Sequence, residues 1–169
     1  MEYINYYKSP LGQIVLSADD VGLTGLWFAE QQNLSSKINE GSIIKELPIF
    51  KETKRWLDIY FSGTEPEFTP NFHQTGTDFR MSVWEVLRTI PYGKTVTYKD
   101  IAETISKRKG LTKMSAQAIG GAVGHNKILI IVPCHRVIGT SGNLTGYAGG
   151  LERKIKLLHM EKEAHGNCE

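Results

Sequence analysis

Five consecutive apolar residues, Ile128-Leu129-Ile130-Ile131-Val132, run straight into Pro133, and no other segment of this 169-residue chain constrains its fold as tightly. Such a run has no polar side to turn toward water, so other elements must cover it all round. Four of the five residues are β-branched, which predicts a buried strand that stops at Pro133. The chain can supply the cover: 40% of its residues are hydrophobic and 22% charged, a balance that suits a packed globular core. No run reaches the roughly 18 apolar residues of a membrane span, and Met1-Glu2-Tyr3-Ile4 has neither a basic nor an apolar leader region. Two cysteines, Cys134 and Cys168, cannot build a disulfide framework or a four-thiolate zinc site. A soluble protein of the reducing cytoplasm, bound to no membrane, is the expectation.

The segments before the run fall into two groups. Tyr3 to Tyr7, Gln13 to Ser17 and Leu23 to Phe28, separated by Pro10-Leu11-Gly12 and Asp19-Asp20, predict a short antiparallel meander. A polar segment around Gln31 to Ser42 follows. Leu47, Phe50, Leu57, Tyr60 and Phe61 then recur near helical spacing until Ser62-Gly63-Thr64 ends the pattern. Thr64 to Asp78 has the composition of a connector, which places a domain boundary there and gives domains of residues 1–78 and 79–169.

In the second domain Phe79, Val83, Leu87 and Ile90 form a helical stripe that Pro91-Tyr92-Gly93 ends. Thr97 followed by Asp100 resembles a capping box opening a second helix, to about Ser106. The loop Lys107-Arg108-Lys109-Gly110 with Lys113 leads to a third helix, Ser115 to about Val123, and the pair suggests a helix-turn-helix. A last helix, Leu151 to Glu163, puts Leu151, Ile155 and Leu158, together with Leu157, on its apolar side. Charge is segregated between the halves. Residues 1–78 hold 6 Lys and Arg against 11 Asp and Glu, a net of −5, and residues 79–169 hold 14 against 7, a net of +7. Either solvated charge has separated by chance or the second half meets an anionic partner.

Pro133-Cys134-His135-Arg136-Val137 carries the chemistry. A cysteine placed after a buried run and a proline sits on a fixed backbone. A neighbouring imidazole and guanidinium favour the thiolate, the nucleophilic form of the residue. The alternative from these residues alone is a small buried hydrophobe. Adjacent residues of an extended strand point to opposite faces, so a water or another residue has to bridge His135 to the sulfur. His73, His125, His159 and His165 make no convincing metal set.

This region resembles the O6-alkylguanine-DNA alkyltransferase family. The resemblance rests on Ile131-Val132-Pro133-Cys134-His135-Arg136-Val137-Ile138, on Gly120-Gly121-Ala122-Val123-Gly124-His125-Asn126 before it, and on Gly142 and Gly146-Tyr147-Ala148-Gly149-Gly150-Leu151 after it. It covers residues 79 to 163 in detail and the whole chain more loosely. It implies an α/β (α+β) protein with an N-terminal ribonuclease H-like strand-plus-helix domain and a C-terminal winged-helix-like, helix-turn-helix catalytic domain.

The implied activity is direct repair of double-stranded DNA containing O6-alkylguanine, and of O4-methylthymine as a second substrate, by one irreversible transfer of the alkyl group to Cys134. By the family's pattern His135 is the base that acts through a bound water, and Glu161 orients it. Asn126 supports the active-site turn and Lys154 favours the thiolate. Tyr98 promotes extrusion of the base and protonates the leaving guanine. Val137, Tyr147, Ala148 and Gly149 form the substrate pocket. Contacts to DNA are expected from Thr97, Lys107, Arg108, Lys113, Ala116, Gln117, Gly120, Gly121, Ala122 and Arg136. Gln117 stands where many members place an arginine, and it fills the gap left by the flipped base without a positive charge. A monomer without metal, cofactor or obligate protein partner is implied. Two readings of other classes remain: a DNA-lesion-binding module without chemistry, which retention of Cys134, His135 and Glu161 opposes, and a Cys-His hydrolase or acyltransferase, which lacks an oxyanion-loop signature.

Overall fold

The computed structural model describes residues 1–31, 41–111, 114–144 and 146–166. They divide into two compact units, 1–74 and 75–169. Together they form a mixed α/β protein, a sheet domain followed by a largely helical one. Among the described residues no helix is long and apolar enough to cross a membrane.

In the first unit the alternation of the sequence becomes a meander of β1 (Tyr3–Ser9), β2 (Gly12–Ala18) and β3 (Leu23–Phe28), each pair antiparallel. Ser9 lies opposite Gly12, which leaves Pro10-Leu11 as a two-residue turn, and Gly12 takes a φ of 123° that favours glycine. β4 (Ile43–Ile44) joins the outer side of β1 in parallel, giving the order β3-β2-β1-β4. Sequence patterning missed this strand because two exposed residues carry no period. Helix α1 (Pro48–Phe61) opens with proline in its first turn, where no backbone N–H is needed, and packs against β1 and β2. It buries Phe50, Thr53, Trp56, Leu57 and Tyr60, while Ile14, Leu16, Leu26 and Phe28 are buried from the strands.

The second unit begins with α2 (Asp78–Leu87), capped by the Thr77 hydroxyl, which accepts from the Arg80 N–H. The helix ends at Leu87, ahead of Pro91, and two turn hydrogen bonds carry the chain on to a buried Ile90. A short strand, β5 (Val96–Thr97), leads into α3 (Tyr98–Lys109). The capping box is present: Asp100 N donates to the Thr97 hydroxyl at 3.0 Å, and Thr97 N donates to the Asp100 carboxylate at 2.9 Å. α3 continues through Lys109, so Lys107 and Arg108 lie on its last turn and not in a loop, which corrects the sequence expectation. Cations there suit the exposed carbonyl end of the helix, and Gly110 at φ 66° closes it in the left-handed conformation. α4 (Ala116–Gly124) starts at Ser115, whose hydroxyl accepts from Gln117 N and Ala118 N. α2, α3 and α4 pack on one another, and the Trp84 indole donates to the Ala122 carbonyl at 2.9 Å across α2 and α4.

The run Ile128–Val132 is buried throughout, as its composition demands, but it is a sequence of turns and not a strand. Its backbone groups bond within the segment: Val132 N to Ile128 O at 3.2 Å and Ile131 N to Leu129 O at 2.7 Å. Ile130 sits at φ 67°, a costly conformation for a β-branched residue. Asn126 makes the fold of this segment possible. Its amide donates to Ile128 O at 3.2 Å and Val132 O at 3.0 Å, and its carbonyl accepts from Ile128 N at 3.0 Å. After a single 3₁₀ turn at Cys134–Arg136, β6 (Val137–Ile138) pairs in parallel with β5.

The last helix, α5 (Leu151–Gly166), is rotated from its predicted face: Leu157 is buried as expected and Leu158 half-buried, but the other positions differ. Lys154, Leu157 and Glu161 are buried, whereas Leu151 and Ile155 are each 45% exposed. The polar atoms of Lys154 and Glu161 have partners inside the unit, and those bonds rather than hydropathy set the rotation of the helix.

Candidate active site

Cys134 and His135 occupy the 3₁₀ turn, so the opposite-face geometry of a strand does not apply to them. Both are buried, Cys134 at 5% exposure and His135 at 0%. Cys134 N donates to Val132 O at 2.8 Å, which fastens the cysteine to the Asn126-braced loop. Burial pushes the thiol pKa up to about 11, while the Asn126 amide and the Lys154 ammonium pull it down. The resting residue is therefore a thiol that needs a base. Lys154 is itself buried and donates from Nζ to Val137 O at 2.6 Å. Burial lowers its pKa, and a Cys134 thiolate would raise it.

The candidate base is beside the thiol in sequence. His135 Nε2 lies 2.6 Å from Glu161 Oε2. Glu161 has its pKa at about 2; burial opposes ionisation, but the hydrogen bond from His135 and the hydrogen bond and charge of Arg136 outweigh it. An ionised carboxylate only accepts, so His135 carries its proton on Nε2 and its lone pair on Nδ1. Burial, the largest effect, lowers the His135 pKa; Glu161 opposes it, and Arg136 and Lys154 reinforce it. His135 is therefore neutral at neutral pH, with a buried Nδ1 that has no partner among the described residues. The Tyr147 ring stands edge-on to it, centroids 6.3 Å apart. Tyr147 also has a buried hydroxyl without a partner among the described residues, and burial, the Cys134 thiolate and Glu161 raise its pKa far above normal.

The other expected site residues separate into an inner and an outer set. Arg136 is internal: Nε donates to Glu161 Oε1 at 2.8 Å, Nη1 donates to Ile90 O at 2.7 Å, and the guanidinium lies over the Tyr92 ring. A side chain committed in this way is not free to meet a phosphate, which corrects its assignment to DNA. Ala122 is buried with its carbonyl bonded to Trp84, so its small size serves the packing of α4 on α2 and not an outer contact. Val137 is fully buried in the β5–β6 pair, Gly149 is buried with its carbonyl accepting from Arg153, and Ala148 is exposed.

Thr97 caps α3, and Tyr98 is its first residue; a β-carbon added at Gly120 would come within 3.9 Å of the Tyr98 ring. Ala116, Gln117 and Gly121 are exposed on α4, and a β-carbon at Gly121 would meet nothing within 4 Å. Lys107 and Arg108 are exposed, with Arg108 4.0 Å from Glu85. Lys113 and Cys168 lie outside the described residues. Sequence reasoning missed Gly93, whose N–H donates to Glu161 Oε1 at 3.3 Å, and the Ile90 carbonyl. Backbone groups leave no residue-type signal, although Pro91-Tyr92-Gly93 marks the turn that presents them.

Two family models match: the 6-O-methylguanine DNA methyltransferase ribonuclease-like domain over residues 3–73, and the DNA binding domain of the same proteins over residues 78–163. The second match spans half of the chain and contains Cys134, His135 and Glu161. The chain belongs to the 6-O-methylguanine DNA methyltransferase family. Among its relatives is the methylated-DNA--protein-cysteine methyltransferase of Methanosarcina acetivorans, 41% identical over 98% of this chain and 99% of that protein. The Mycobacterium leprae protein of the same name is 42% identical over 91% of this chain and 88% of its own. A crystal structure of Mycobacterium tuberculosis OGT in complex with DNA superimposes with a TM-score of 0.83 at 40% identity, covering 96% of this chain and 94% of that one. The fold is thus that of the methyltransferase family, a sheet domain followed by a helical DNA-binding domain.

Proposed function

We propose that this protein repairs DNA by moving the methyl group of O6-methylguanine onto Sγ of its own Cys134. The observation that carries the proposal is the buried Cys134 beside a neutral His135 whose Nε2 is held at 2.6 Å by Glu161, in a chain of this family. His135 Nδ1 takes the thiol proton through a water. The thiolate electron pair then forms a bond to the methyl carbon as the C–O6 bond breaks, and that pair stays on O6. Tyr98 supplies the proton that completes guanine. The product is an uncharged thioether with no leaving group to expel, so each molecule acts once.

An O6-methyl carbon inside a base stack cannot be reached in line, so the nucleotide is extruded at a cost of a few kcal/mol. The exposed face of α4, with Ala116, Gln117, Gly120 and Gly121, enters the minor groove, and Gln117 bonds the base left behind. Thr97, Lys107, Arg108 and Lys113 hold backbone phosphates. Tyr147, Ala148 and Gly149, with Val137 behind them, receive the extruded base. Residues 79–169 carry both DNA binding and transfer, and 1–78 form the ribonuclease H-like domain. The protein acts as a cytoplasmic monomer without a metal or cofactor.

Mass spectrometry of the intact protein and its peptides, after mixing with excess duplex bearing one O6-methylguanine, tests the proposal. One methyl on the Cys134 peptide, reaching one equivalent and stopping, is expected, with none from undamaged duplex or on Cys134→Ala. Lesion binding without methylation would make the chain a recognition module instead.

A further inference from the structure

The carboxylate of Glu161 has two oxygens with different duties. Oε2 holds His135 Nε2, and Oε1 accepts from Arg136 Nε at 2.8 Å and from Gly93 N at 3.3 Å. Arg136 adjoins His135 in the chain and is itself only 8% exposed, with its other reach fixed by the bond from Nη1 to Ile90 O at 2.7 Å. Its plane is further confined by the Tyr92 ring, 5.6 Å from the guanidinium carbon. Glu161 on α5 is thereby tied to the turn after α2 by a fork that only a guanidinium can span.

We infer that Arg136 is a positioning residue for the transfer site: by holding Oε1 it fixes the Glu161 carboxylate so that Oε2 stays on His135 Nε2 and Nδ1 remains the free base. This rests on the proposed function and assigns to it a side chain that the sequence placed on DNA. Two physical effects follow from the one contact. The fork stops the carboxylate from rotating, which keeps the imidazole in one tautomer. The guanidinium charge, delivered to the same carboxylate, offsets the pull of Glu161 on a second imidazole proton. The charged and titratable groups around His135 are Glu161 and Lys154 from α5, Arg136 and Cys134 from its own turn, and Tyr147 from the segment before α5. Of these, Arg136 is the cation that bonds directly to the carboxylate holding the ring.

The test uses the full chain with two variants, Arg136→Met and Arg136→Lys. Nitrogen-15 NMR of the imidazole reads the tautomer and titration of His135 in the free protein. The rate of Cys134 methylation by a duplex carrying O6-methylguanine is followed against pH. Arg136→Met is expected to move the His135 midpoint upward. It loses the fork as well as the charge, so it should share the plateau fall of Arg136→Lys and slow transfer about tenfold more on the acid limb, since one pH unit on a limb is tenfold in the reactive form. Arg136→Lys keeps the charge and loses the fork, so its limb stays in place while its plateau falls and both tautomers appear in the spectrum.

A merely structural arginine would lower the rate equally at every pH and leave the His135 midpoint where it was, and that result overturns the inference. If Arg136→Met does not fold, the lysine variant decides: an unchanged plateau with a single tautomer overturns it. If the wild type takes no methyl from the duplex, the proposed function fails, while the NMR titration still supports or overturns the role of Arg136.

Discussion

Replacing Glu161 by Gln keeps the shape of the side chain and removes its charge, which makes the pH dependence of its contribution calculable. In the folded protein Glu161 titrates at about 2 against an ordinary value of 4.5. The folded pKa is depressed, so the stabilisation is fully present above 4.5 and is lost as pH falls toward 2. A gap of this size corresponds to about 3 kcal/mol above pH 6, falling to about half of that by pH 3. His135 adds loss in the same direction. Burial lowers its folded pKa, so below its ordinary value of 6.5 the unfolded chain gains a proton that the folded one resists.

The assay is urea unfolding of wild type and Glu161→Gln at steps from pH 7.5 to pH 3. The wild type should be more stable by about 3 kcal/mol at pH 7, where the variant leaves Arg136 buried without a carboxylate, and the difference should shrink toward acid as Glu161 of the unfolded wild type takes up a proton that the folded one resists. A difference that stays constant between pH 5 and pH 3 would refute the reasoning, because it would mean that shape and not charge makes the contribution.

Three further outcomes are expected. Asn126→Ala strands buried backbone groups at Ile128 and Val132, so unfolding should show a loss of about 2–4 kcal/mol together with slower transfer; a loss under 0.5 kcal/mol would mean that the loop holds without it. Lys154→Met removes the cation that lowers the Cys134 pKa and leaves Val137 O without its donor, and single-turnover kinetics should slow about tenfold near neutral pH, with the deficit narrowing at high pH. Gln117→Arg should tighten binding to lesion-bearing duplex and steepen its salt dependence by up to about one counterion, read from titrations at several salt concentrations.

The sheet of the first unit was legible because alternation and a two-residue turn leave one register open: Ser9 against Gly12 fixes every later pair of the hairpin. The capping box at Thr97 and Asp100 was legible for the same reason, since both partners lie within four residues of each other. Ile128–Val132 was legible in burial but not in shape. Composition records that a run is covered, while its conformation here depends on the amide of Asn126, which lies outside it. The adjacent thiol and imidazole of Cys134 and His135 were legible as a motif. Arg136 was misread because nothing in its own neighbourhood reveals a carboxylate 25 residues further on. The rotation of α5 was misread because hydropathy treats Lys154 and Glu161 as surface residues, and their buried partners come from a loop and a 3₁₀ turn that a helical period does not describe.

The rotated face of α5 changes what a protein engineer would try first. A library guided by hydropathy would preserve Leu151 and Ile155 and randomise Lys154 and Glu161, discarding the residues nearest the chemistry while protecting two that water already reaches. Selected for solubility and folding, survivors would accumulate polar replacements at 151 and 155 and keep 154, 157 and 161. The helix thus supplies its own record of which side is inward, readable by selection before any lesion is offered to the protein.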